Sequence, residues 1–161
     1  MKTWMGVLGL FGFTVSVFAI PSVGDIARYH AVQVKNGIKV MEQNTEYKFV
    51  AFDRATDEFT QVQTTQSLMP AGQPPEVVTT QVKRDSALSD AQIDQMLQMC
   101  AQIGGKLEKI RVPAGAFDTC KLPQETQSVW IAKVPFGFVK MTQTDSNGEM
   151  TAELTSFVRG Q

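Results

Sequence analysis

Histidine is nearly absent from this chain of 161 residues, with His30 standing alone, and cysteine is limited to Cys100 and Cys120. A single imidazole excludes metal ligation by histidine clusters. Any Ser–His–Asp or Cys–His arrangement would have to use His30. That residue sits mid-strand among Ile26, Arg28 and Val32, where it reads as a strand-surface side chain. No G-x-S-x-G, P-loop or dinucleotide glycine pattern occurs. An excess of either charge is missing too: 15 basic residues face 16 acidic ones, and the densest runs, Lys83-Arg84 and Asp57-Glu58, are two residues long. Such a balance provides no electrostatic footprint for nucleic acid or an anionic membrane surface.

Long apolar runs are equally scarce, apart from one at the start. Lys2 and the free amine precede an uncharged stretch from Trp4 to Phe18, and Val17-Phe18-Ala19 suits a signal-peptidase site. A membrane span needs about 20 residues, so this shorter run reads as a cleaved secretory signal over residues 1–19. An uncleaved N-terminal anchor and a core helix are the alternatives. Lys2 is the only charged side chain in the segment. Its removal leaves 142 residues with 14 basic and 16 acidic side chains, a formal charge of −2. Residues 20–161 then suit one domain with its own core and no second spanning segment. The expected location is the periplasm or the exterior.

Two cysteines in an exported chain suggest a Cys100–Cys120 disulfide, with two buried free thiols as the alternative. Closing that loop should stabilise the fold by about 3 kcal/mol in the chain-entropy picture. A redox-active pair would favour C-x-x-C spacing, and zinc would need more ligands.

What the chain has in quantity is β-patterning. Ile26 to Val34 is followed by Asn36-Gly37, a pair that accepts positive φ, and the chain returns through Ile38 to Gln43 as a hairpin. Tyr47 to Phe52 continues as a strand, Asp53 to Asp57 turns, and Phe59 to Ser67 returns. Met69 to Pro75 holds three prolines and reads as an exposed loop before a strand or edge at Val77 to Lys83. A helix begins at the cap Ser89, with Gln92 completing a capping box. Ile93, Met96, Leu97, Cys100 and Ile103 form its apolar stripe before Gly104-Gly105. Ala116, Asp118, Cys120 and Leu122 share a face of the next strand. Trp130, Ala132 and Val134 alternate along another, Pro135 to Gly137 bends the chain, and Phe138 to Thr144 returns. Asp145 to Gly148 turns into a last strand bearing Met150, Ala152 and Leu154. The expected fold class is α+β: a strongly curved antiparallel meander of about seven to nine strands, like a half-barrel, with one main helix packed on it.

Candidate sites are few. Asp145 to Glu149 superficially resembles the start of a calcium loop, but it lacks the distant bidentate Glu and reads as a hairpin turn. Asp53, Asp57 and Glu58 would be the acids of a hydrolase, against the plainer reading of solvated turn residues. Phe49, Phe52, Phe117, Trp130 and Phe138 would line an apolar or lipid-like ligand if the sheet curves. The alternative is that these rings fill the space between sheet and helix. No catalytic or metal-binding residues and no cofactor are expected.

The segments Val112-Pro-Ala-Gly-Ala-Phe117 and Val134-Pro-Phe-Gly-Phe-Val-Lys140, with Val23-Gly-Asp25 near the mature start, resemble uncharacterised bacterial exported proteins. These carry V-P-A-G-x-F and P-x-G-x-V-K segments. The resemblance implies a curved antiparallel sheet similar to that of periplasmic lipoprotein carriers, and it brings no catalytic residue. The expected function is that of an exported, non-enzymatic envelope protein binding an apolar ligand. The alternative is an interaction module that uses sheet edges or the Pro-rich loop to meet another envelope protein.

Overall fold

Period-two alternation of apolar and polar side chains dominates the chain, and it folds as sheet almost throughout. The computed structural model describes residues 22–86 and 90–160. The segment read as a signal, residues 1–19, and the helix cap Ser89 lie outside them. Nine strands follow in order: β1 (Ile26–Lys35), β2 (Ile38–Asp53), β3 (Glu58–Met69), β4 (Glu76–Lys83), β5 (Lys106–Val112), β6 (Gly115–Pro123), β7 (Gln127–Ile131), β8 (Phe138–Asp145) and β9 (Gly148–Val158). Among the described residues a single α-helix, α1 (Asp90–Gln98), comes between β4 and β5. All nine strands belong to one antiparallel sheet in the order β4-β3-β2-β1-β9-β8-β7-β6-β5, so the first and last strands are neighbours at its centre.

Local chemistry explains most of the joins. Asn36 and Gly37 both take positive φ (53° and 77°), as a two-residue hairpin turn that follows the strand twist requires. Beyond it, the two strands expected at Ile38–Gln43 and Tyr47–Phe52 are one continuous strand of 16 residues. Register breaks at Arg28/Tyr29, Gln33/Val34 and Phe49/Ala51 add local twist in the sheet's central strands. The sheet curves far enough for the β5–β6 hairpin to meet β9. Ala114 N–H donates to Leu154 O at 3.0 Å, and the Phe117 and Phe157 rings lie 6.3 Å apart. Asp25 ties the two ends together: its carboxylate accepts from Ser22 N–H at 2.8 Å and from Gly160 N–H at 2.7 Å.

The expected α+β class with a main helix is corrected to a nearly all-sheet fold: among the described residues 63% are strand and 9% helical, a 3-10 turn included. The apolar stripe is real only over its first turns. Helix α1 stops at Gln98 after nine residues, and the chain then tightens into turns, with Gln102 N–H bonded to Met99 O and Gly105 N–H to Cys100 O. Ile93 is fully buried, Met96 and Leu97 are partly so, and Ile103 is 44% exposed. A helix that short covers only a strip of sheet. It packs Ile93 on Ile131, Leu122 and Val129, the last of which pairs with Met141 across the ladder.

Cys100 therefore lies in the turns after the helix, and its sulfur is bonded to that of Cys120 in β6, with the two Cα atoms 5.7 Å apart. Gly105 is required beneath the bridge. A Cβ there would stand 2.6 Å from Cys120 Sγ and 2.7 Å from Cys100 Sγ. The glycine that resembles a helix stop is a packing residue of the disulfide.

A second correction concerns Trp130 to Val134. Strand β7 ends at Ile131, and residues 132–137 form a buried loop. Ala132 N–H bonds to Gly137 O at 3.0 Å and Gly137 N–H to Val134 O at 3.0 Å, so these residues satisfy each other instead of a neighbouring strand.

Candidate functional site

Aromatic residues bring the sheet together. Phe49, 1% exposed, stacks on Phe136 with centroids 4.7 Å apart and tilts against Phe59 at 5.4 Å. Phe136 comes from the buried loop and holds a left-handed backbone (φ 65°), so the loop's conformation is set by where this ring has to go. Phe52 packs on Phe59 at 4.5 Å and lies under the Arg84 guanidinium. Phe138 stacks on Tyr29 at 4.4 Å, and the Tyr29 hydroxyl donates to Phe138 O. Phe117 packs at the β5–β6 tip. Trp130 alternates with Val129 and Ile131, the residues beneath the helix. Its indole N–H donates to Glu108, with Lys121 and Lys140 over its ring. The structure thus places Phe49 and Trp130 in the core and Phe52, Phe117 and Phe138 against it. Phe136, in the bend over residues 135–137, links Phe49 to Tyr47 in this cluster, with centroids 4.7 Å and 5.7 Å away.

His30, Asp53, Asp57 and Asp145 are engaged structurally. His30 lies on the sheet surface, its Nδ1 2.8 Å from Asn44 Oδ1 and its Nε2 3.2 Å from Glu42 Oε1. Asp53 accepts from Ala55 N–H at 2.8 Å within the β2–β3 turn, and Asp57, in the same turn with positive φ, sits 3.4 Å from Arg84. Asp145 closes its own turn by accepting from Asn147 N–H. Burial pushes the Tyr29 phenol well above its usual range, with the Tyr47 phenol adding to the effect, and burial raises Tyr47 itself. Neither phenol exchanges protons near neutral pH. Among the described residues no three His, Cys, Asp or Glu side chains gather as a metal site, and no helix is long and apolar enough to cross a membrane.

What the fold leaves open is an edge. The sheet ends in β4 on one side and β5 on the other, and the two are built differently. Strand β5 carries Lys106, Glu108, Lys109 and Arg111, charges that discourage another strand from pairing. Its far end turns onto β9, and Leu107 sits opposite the bridged Cys120. Strand β4 is the sequence Glu-Val-Val-Thr-Thr-Gln-Val-Lys, with six uncharged residues, four of them β-branched before Gln81, and no proline or bulge. Val77 is 61% exposed and Val78 43%. The preceding loop is held back on β3, where Gln66 Nε2 donates to Gln73 O and the Ser67 hydroxyl to Pro70 O. Residues 77–81 of β4 stay exposed, while Val82 is buried.

No protein-family profile matches the chain, and no curated protein matches it. Among solved structures it is similar to one from Bacteroides fragilis, described as an exported protein with a YmcC-like fold. The TM-score is 0.50 at 11% identity, covering 89% of this chain and 99% of that one. A structure from Parabacteroides distasonis, described as a lipoprotein, aligns with a TM-score of 0.49 at 12% identity, over 88% of this chain and 99% of that one. At these identities the first likeness is one of fold.

Proposed function

We propose that this is an exported, non-catalytic envelope protein that docks a protein partner along the β4 edge of its sheet. Export is supported by the pattern of residues 1–19, by the Cys100–Cys120 bridge, and by the fold shared with a protein described as exported. The observation that carries the docking reading is the contrast between the edges: β5 is charged and folded back, whereas β4 presents six uncharged, mostly β-branched residues between Glu76 and Lys83, with its outer ladder unpaired among the described residues. A strand of that kind either aggregates or is used, because its free N–H and C=O groups template another strand. An apolar-ligand function is less well supported, because Phe49, Phe52, Phe117 and Phe138 each pack on another ring of the sheet and Trp130 meets Glu108 and two lysines.

A photo-crosslinking residue placed at Val77, and separately at Leu107, tests this in the living cell. A discrete adduct is expected from Val77, absent from Leu107, and lost when Val78→Lys guards the edge. No adduct at Val77, or equal labelling from both edges, would overturn the proposal.

A further inference from the structure

We propose that the occupant of the β4 edge is the same strand of a second copy, paired antiparallel about a twofold axis normal to the sheet. This rests on the β4 docking reading and names its partner.

The register follows from ladder geometry. In an antiparallel pair, opposed residues both point their N–H and C=O groups across the gap, or both point them away. For two identical strands the numbers of opposed residues must therefore sum to an even value. Two registers centre the eight residues of β4. Centring on Thr79 sets Glu76 against Val82 of the second copy and Val77 against Gln81, which leaves the carboxylates facing apolar side chains. Centring on Thr80 sets Val78 against Val82, Thr79 against Gln81 and Val77 against Lys83, and brings Glu76 beside Arg84, the first residue of the 3-10 turn that follows the strand. The twofold repeats each pair at the other end.

Chemistry selects the second register. Each end gains a β-branched cross-strand pair and, at the rim of the ladder, a carboxylate beside a guanidinium, opposite charges that favour each other. Arg84 already lies over the Phe52 ring, 5.4 Å from its centroid, and one of its nitrogens sits 3.4 Å from Asp57, but its side chain is more than half exposed and keeps further donors toward the edge. Guanidinium has five donors, so a second carboxylate fits beside the first. Parallel pairing would set Glu76 beside Glu76 and Lys83 beside Lys83, which like charges oppose. Val82 is nearly buried while Val78 is open, so the new Val78–Val82 contacts extend the existing apolar face across the joint. With only two strands in contact the interface is small, and the association is reversible and concentration-dependent.

Sedimentation velocity of the exported protein, disulfide intact, over about 10 μM to 1 mM covers the weak range such an interface allows. A monomer–dimer equilibrium is expected. Glu76→Arg and Arg84→Glu should each weaken it about tenfold by turning two attractive pairs repulsive. The double variant should restore it to within about threefold, and Val78→Lys should abolish it. Thermal unfolding of each variant reports whether the fold is kept, and Glu76→Arg alters a half-buried position and Val78→Lys an exposed one even if Arg84→Glu disturbs its turn. A chain that stays monomeric throughout overturns the inference, as does a dimer indifferent to Glu76→Arg and Val78→Lys. A double variant that stays weak rejects the register. If the chain is monomeric yet Val77 still crosslinks to a different protein, docking at β4 stands and self-pairing falls.

Discussion

Phe49→Ala is expected to destabilise the fold by about 3–5 kcal/mol, the range for truncating a buried phenylalanine. The ring is 1% exposed and sits between Phe136 and Phe59. Its loss removes apolar burial and opens a cavity that the rigid sheet backbone cannot close. It also removes the surface on which Phe136 rests, and with it the support for a left-handed residue in the 132–137 loop. The backbone on both sides is stitched as well, with Gly24 N–H bonded to Phe49 O and Phe49 N–H to Asp25 O. Loosening this point therefore loosens the chain terminus tied through Asp25. The measurement is the urea midpoint and slope of Phe49→Ala beside Phe117→Ala, whose ring is only partly buried at the β5–β6 tip. Phe117→Ala should cost clearly less. A Phe49→Ala midpoint within about 1 kcal/mol of the parent would mean that the ring lines an open bed instead of a packed core.

The second large effect is expected at the bridge. Replacing both Cys100 and Cys120 with alanine should lower stability by about 3 kcal/mol, from the loop of 20 residues that the disulfide closes in the unfolded chain. Both sulfurs are fully buried and lie directly against Gly105, so the alanines add a small cavity to the entropic loss. Helix α1 feels this first. It is only nine residues long, touches the sheet through a few side chains, and has the disulfide as its covalent tether to β6. Far-ultraviolet circular dichroism against urea, for the bridged and double-alanine chains, reads the change. Equal midpoints would show that the bridge is ornamental to the fold.

Much of the meander was legible in the residues because its signals are local. Asn36-Gly37 needs nothing beyond its own backbone to make a hairpin, and the alternation in β8 and β9 marks the buried face without reference to other strands. The misreadings came where distant packing decides. Ile93, Met96, Leu97, Cys100 and Ile103 keep helical spacing, but Cys100 has to reach Cys120, and the chain leaves the helix at Gln98 to take it there. Trp130, Ala132 and Val134 alternate like a strand, yet their loop is shaped by Phe136 stacking on Phe49, nearly ninety residues earlier in the chain. Strand β5 was not anticipated: Lys106, Glu108, Lys109 and Arg111 mask its pattern, and the same charges protect it as an edge. The five rings suggested for a ligand were found from the aromatic-bearing strands, whose pattern puts rings on a sheet but does not say what each ring meets. The β4 edge was visible as a candidate strand. Its significance appeared only when the sheet order put it at the rim.

Native mass spectrometry of the exported protein, released gently from its own envelope, tests most directly whether the aromatic residues form a closed core and recognition is left to the sheet edge. The expected spectrum holds the chain alone, with a dimer growing as concentration rises and no small-molecule adduct on either. A lipid-sized adduct that survives on the folded chain and disappears in Phe49→Ala would contradict that picture and return the rings to a ligand-binding role.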